Sequence, residues 1–209
     1  MEEKKSGILE KASALFMKLG FKSLTMDDIA RELGISKKTL YFYFEDKNDL
    51  VEQAVISHLN KNQEIVLSFC NKANNAIQEV QQLMQCVNIQ MKDTHPSVIF
   101  DLQKYHPDAY ELFKEHKFTF ILDIIKSNIT RGQKEGLYKT NMNCEIIARI
   151  YVARIDLLFN PEIFPREQFQ FTDIYIEMMK YHLYALVTKK GNKLLDQIFN
   201  IPSTYENKI

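Results

Sequence analysis

The sequence predicts an all-α protein: an N-terminal three-helix head carrying a helix-turn-helix, joined by a long helix to an all-helical body. Three observations lead there. Only six glycines and five prolines punctuate 209 residues, and the stretches between them are rich in helix-favouring Leu, Lys, Glu and Gln. Apolar residues recur at the three- and four-residue intervals of a helix through most of the chain. Residues that cap helix starts stand where those runs begin.

Ile8, Leu9, Ala12, Leu15, Phe16 and Leu19 mark a first helix, which Gly20 ends. Thr25 with Asp28 three residues on reads as a capping box opening a short second helix through Ile29, Ala30 and Leu33. Ser36 caps a third, SKKTLYFYF, and Asp46 with Asp49 opens a fourth that starts at Lys47 and reaches about Lys61. Ala76 to Val87 carry a fifth, fading near Lys92–Pro96, and Pro96 and Pro107 bracket a short piece. From Pro107 one long helix runs to about Gly132–Gly136, and Asn143 caps the next, Cys144 to Phe159. The last long helix spans about Thr172 to Lys189 and is closed by Gly191. Beyond it lie an apolar patch, Leu194, Leu195, Ile198 and Phe199, and a polar end expected to fray.

The expected domains are 1–48, the three-helix head, and 49–209, the all-helical body. The opening MEEKKSGILEKA places charges where a signal peptide needs an apolar core, and no apolar run reaches the roughly 18–20 residues of a membrane span. A cytoplasmic location without membrane attachment is therefore expected. Cys70, Cys86 and Cys144 are odd in number and lack the close pairing of a zinc or redox motif, so they read as reduced thiols. Among five histidines there is no i, i+4 pair, so neither metal nor cofactor is expected. No nucleophile triad, phosphate loop or dinucleotide fingerprint occurs, which argues against an enzyme.

Net charge is zero, and residues 2–48 hold nine basic against eight acidic side chains. Distribution matters more than total, because phosphate contact depends on charges that face the groove. From Leu33 to Phe44 there are two lysines and no acid. The segment DDIARELGISKKTLYFYF also has helix-turn-helix spacing. Ile29 and Leu33 bury one helix, small Ala30 admits a close crossing, Gly34 takes the turn, and Ile35 and Leu40 lock the pair. That packing exposes Ser36, Lys37, Lys38 and Thr39 at the start of the second helix, where a recognition helix meets the major groove. Tyr41 and Phe44 fall on the apolar side, and Tyr43 reads equally as core or contact.

From Phe21 to Leu50 the chain, FKSLTMDDIARELGISKKTLYFYFEDKNDL, resembles the head of the tetracycline-repressor (TetR) family. A G-x-x-x-G-L-Y corner at Gly132–Tyr138 adds a weaker likeness in the body. The resemblance implies a homodimeric transcriptional regulator, usually a repressor, that reads a palindromic double-stranded DNA operator and responds to a ligand. It implies Thr25 on a phosphate, Ser36, Lys37, Lys38 and Thr39 at base edges or phosphates, Tyr41 and Phe42 toward the backbone, and Lys47 on a phosphate; Tyr43 is a further candidate DNA contact. Lys38 stands where many members have Gly, and its side chain suits a guanine edge or another phosphate.

In the body the last two long helices are apolar nearly all round, so each is expected to be buried on two sides. Ile146, Ile150, Ala153, Leu157, Met179, Leu183 and Leu186 are the expected dimer residues, the resemblance implying a four-helix bundle across a two-fold axis. Phe100, Gln103, Tyr105, Tyr110, Phe113, Phe120 and Tyr151 are candidates to line a cavity for a small, largely apolar ligand.

Overall fold

The structure, a computed structural model, describes residues 2–199; the expected frayed end lies outside the described residues. Every named element within them is helical, and strand-like pairing is confined to one isolated bridge between Tyr138 and Val187. The elements are α1 (Glu2–Leu19), α2 (Met26–Glu32), α3 (Lys37–Tyr43), α4 (Lys47–Lys72), α5 (Ala76–Lys92), α6 (Val98–Tyr105), α7 (Pro107–His116), α8 (Leu122–Lys134), α9 (Cys144–Arg154), α10 (Phe171–Leu186) and α11 (Lys189–Phe199).

The expected caps are in place. Thr25 and Asp28 form a reciprocal capping box at α2, the Ser36 hydroxyl accepts from the Thr39 amide at α3, and Asn143 accepts from the Ile146 amide at α9. Asp46 accepts from the Asp49 amide in the first turn of α4. Each satisfies an amide that the helix start leaves without an internal partner.

Three expectations are corrected. α4 continues to Lys72 rather than stopping near Lys61, because no glycine or proline interrupts the chain between Lys47 and Lys72. The helix predicted from Pro107 is interrupted at Lys117–Ile121 by a π-helical turn, a widened turn found mostly as a single insertion within α-helices. Gly191 does not close α10, which ends at Leu186; it lies inside α11. A β-carbon there would sit 2.2 Å from the Leu137 carbonyl oxygen, so the position admits only glycine for reasons of space.

Packing forms two compact units. The first takes the described residues up to Ile65 together with Ile89–Thr119. Its core joins Ile8, Ala12, Phe16, Ile29, Leu40, Phe44, Leu50 and Val51 to Val98, Leu102 and Ala109. This division departs from a boundary after residue 48, because α6 and α7 supply part of the apolar surface that buries α1–α4. The second unit takes Val66–Asn88 and the chain from Phe120 onward. Ile77, Val80, Ile125, Ile129, Val152, Met179, Leu183 and Leu186 lie at its centre. Glu79 is buried there in an ion pair with Arg131 (2.9 Å), whose guanidinium also donates to Glu135 and to the Ala73 carbonyl.

Candidate nucleic-acid interface

The α2–α3 pair turns on Gly34, whose φ of +66° is a left-handed conformation that side chains resist. Nothing lies within 4 Å of where its β-carbon would be, so glycine is needed here for the backbone alone. The turn closes through the Gly34 amide on the Arg31 carbonyl and the Ile35 amide on the Ala30 carbonyl. Ile29 and Leu40 are fully buried and Ala30 nearly so, which fixes α3 against α2. α3 buries Leu40 and turns its opposite side outward, and Phe44, just beyond its end, is buried too.

On that outward side the predicted residues differ in how they are held. Lys37 forms an ion pair with Asp27 of α2 at 2.8 Å, and its ammonium lies 5.9 Å from the centre of the Tyr41 ring. The Ser36 and Thr39 hydroxyls are 2.8 Å apart and hydrogen-bonded. Thr25 donates its hydroxyl to Asp28 at 2.6 Å, and those contacts hold the Asp28 carboxyl below the usual carboxylate range. Lys38 is exposed. Phe42 is 67% exposed with its ring edge-on to Tyr43, which is half-buried. Tyr41, expected on the apolar side, is instead 45% exposed, because α3 faces the core with Leu40 and the next residue stands about 100° round the helix.

Lys47 occupies the start of α4, where a cation opposes the helix dipole. Its ammonium donates to the Phe21 carbonyl at 2.6 Å, and burial holds it below the usual lysine range while nearby Asp101 opposes that shift. In the free protein, then, the cation is stored on the α1–α2 turn. Around it lie buried polar groups for which sequence spacing gives no signal. Asp101 of α6, 5% exposed, accepts from the Lys22 amide (3.1 Å) and the Ser97 hydroxyl (3.0 Å). His106, between α6 and α7, pairs through Nδ1 with the Asn48 side chain at 2.8 Å.

Comparison with known proteins places this architecture. The family model described as bacterial regulatory proteins, tetR family, matches residues 8–54, the segment that contains most of α1, all of α2 and α3 and the first turns of α4. Residues 8–54 therefore carry the TetR-family DNA-binding head. An HTH-type transcriptional regulator of Bacillus subtilis, YvaF, is 29% identical over 166 residues, spanning 78% of this chain and 84% of YvaF. IcaR of Staphylococcus aureus, a negative regulator of the icaADBC biofilm operon, is 32% identical over 80 residues, spanning 38% of this chain and 43% of IcaR. Among solved structures, a TetR-family regulator from Agrobacterium tumefaciens superposes with a TM-score of 0.71 at 15% identity over 90% of this chain and all of that one. A regulator from Saccharomonospora viridis in complex with choline gives 0.72 at 18% identity with the same coverage. These relatives are regulators rather than enzymes, and this chain, with its TetR-family head, is a DNA-binding transcriptional regulator. No helix among its described residues is long and apolar enough to cross a membrane.

The predicted dimer residues separate into two groups. Ile146, Ile150 and Leu157 are exposed at 55%, 48% and 41%, and with exposed Ala153 they form one stripe along α9 and the 3-10 turn that follows it. Met179, Leu183 and Leu186 are corrected: each is 3% exposed or less and belongs to the unit's own core. The outward row of α10 is instead Tyr181, Tyr184 and Ala185, with Tyr181 73% exposed and under the Arg154 guanidinium.

The seven aromatic and polar residues expected around a ligand divide between the two units. Phe100, Gln103 and Tyr105 are exposed, with Lys104 lying over both rings. The short α6 turns Val98, Asp101 and Leu102 to the core, which leaves these side chains on its outward side. Tyr110 and Phe113 are half-buried against each other in the same unit. Phe120 and Tyr151 belong to the second unit, where Tyr151 is buried against His182 and Met179.

Proposed function

We propose that this TetR-family regulator is a cytoplasmic repressor that binds a palindromic operator as a homodimer and is released by a small, largely apolar molecule. The observation that carries the DNA-binding part is the outward face of α3, held by Gly34, the Ser36 cap and buried Leu40. A rigid short helix with exposed cationic and aromatic side chains is what a major groove admits. Support for the dimer comes from the α9 stripe and the α10 row, an apolar surface that a soluble monomer avoids exposing. IcaR supports the sign of regulation, and the choline complex supports a small-molecule effector.

Release follows from α4. It is one continuous helix over 26 residues, about 39 Å long, with Leu50, Val51, Ala54 and Val55 buried in the core that supports α3. A ligand that tilts α4 displaces the reading helix, and the two half-sites of an operator tolerate little change in spacing. Linkage is reciprocal, so a ligand preferring the free form weakens DNA binding by the same factor. The test is a gel shift on the DNA upstream of the chain's own gene at two salt concentrations. The expected result is specific retardation that weakens with salt and survives excess competitor DNA. Retardation abolished equally by any competitor would reject sequence-specific binding.

A further inference from the structure

Helical neighbours stand four residues apart, so the outward side of α3 carries two adjacent rows, Lys37 with Tyr41 and Lys38 with Phe42. The first row is engaged. Both carboxylate oxygens of Asp27 lie near the Lys37 ammonium, at 2.8 and 3.1 Å, and the Tyr41 ring lies beneath it. The hydroxyls that flank this row, Ser36 and Thr39, are bonded to each other and to the helix start. The second row is free: among the described residues Lys38 makes no hydrogen bond or ion pair, and Phe42 is the most exposed apolar side chain of the head.

Base edges in the major groove offer partners to such a row. An ammonium is matched by the paired acceptors N7 and O6 of guanine, and an apolar ring by the C5 methyl of thymine. A cation already held by a carboxylate must break that pair before it can read a base, whereas an unpaired cation gains the whole contact. We propose that Lys38 and Phe42 are the sequence-reading residues, recognising a guanine and a neighbouring thymine in each half-site. Lys37, held by Asp27, is a positioning residue that ties α3 to α2 and faces the phosphates. The assignment rests on the DNA-binding reading and refines it.

The test is selection of binding sites from random duplex DNA with the full chain and its variants K38M, F42A, K37M and D27N. All four positions are exposed, so melting temperatures should match the parent's and exclude misfolding as a cause. K38M should lose the guanine preference at one position per half-site, with about a ten- to hundred-fold fall on the parent site. Replacing that guanine by 7-deazaguanine should weaken the parent and leave K38M unchanged. Replacing the neighbouring thymine by uracil, which lacks the methyl, should weaken the parent and leave F42A unchanged. K37M should weaken all sequences alike, and D27N should keep the selected sequence while steepening the salt dependence. A base preference lost in K37M but kept in K38M would overturn the assignment. Failure of the parent to select any sequence would instead overturn the operator-binding reading on which it rests.

Discussion

The ring of Tyr138 lies against the backbone of α8 at Gly132, so close that a β-carbon on the glycine would fall 2.1 Å from Cδ2. The ring is 1% exposed and its hydroxyl donates to Asn128 at 3.2 Å. Asn128 in turn donates to the Ala76 carbonyl at the start of α5. Gly132→Ala must push the ring off this contact, and overpacking of this kind costs about 1–3 kcal/mol. Thermal unfolding should start several degrees lower, at roughly 2–4 °C per kcal/mol for a chain of this size. A melting temperature within one degree of the parent's would show that the corner yields freely.

Arg131 is the only described cation within salt-bridge distance of Glu79, a carboxylate whose side chain is 6% exposed. Removing one partner of a buried pair leaves the other charge without compensation, at a cost of about 3–5 kcal/mol. Arg131→Met should therefore lower the urea midpoint markedly. The double variant with Glu79→Gln should recover part of the loss, and equal effects of the single and double variants would refute the pairing argument.

His182 is buried against Tyr151 and accepts from the Arg154 guanidinium through Nδ1 at 3.3 Å. Burial, with the Arg154 charge in support, pushes it down to about 4. The unfolded chain takes up a proton near pH 6.5 that the folded chain refuses, so stability rises with pH across this window. It is complete above about pH 6.5 and is lost as pH falls toward 4, by on the order of 2 kcal/mol at pH 5. His182→Gln should remove that part of the dependence in urea titrations at pH 5 and 7.5. An unchanged slope would assign the acid sensitivity to other groups.

Ile150 and Leu183 should respond oppositely to the same substitution. Ile150 is 48% exposed on the α9 stripe and Leu183 is 2% exposed in the core. Ile150→Asp should keep the helical circular dichroism and the melting profile of a folded chain while sedimenting at half the mass. Leu183→Asp, which places a charge among apolar side chains, should not fold. A folded parent that sediments as a monomer at micromolar concentration would reject the proposed interface.

What could be read beforehand was local. Thr25, Ser36 and Asn143 announce their helices because capping depends on residues three positions away. Gly34 is legible for the same reason, since the turn it makes is set by its own φ. Which face of an all-round apolar helix turns inward is a tertiary property. Periodicity therefore placed Ile150 and Leu183 together, although packing separates them. The π-helical turn at Lys117–Ile121 was not legible, because it is a change in the hydrogen-bond register of the backbone rather than in residue type. In the site itself the cations were visible and their partners were not. Asp27 lies ten residues before Lys37, and Phe21 holds Lys47 through a backbone oxygen that any residue would supply.

The hydrogen bond from the Lys22 amide to Asp101 crosses 79 residues of sequence. Synthesis runs from the N-terminus, so α1–α4 leave the ribosome well before the carboxylate that fastens their first turn. Val98, Leu102 and Ala109, which complete the same core, arrive together with it. A nascent chain halted before α6 would hold a reading helix whose supporting core is open on one side. The reading helix thus has its full support only once residues through Ala109 have been translated, and excised fragments ending near residue 48 should bind DNA less well than the intact chain.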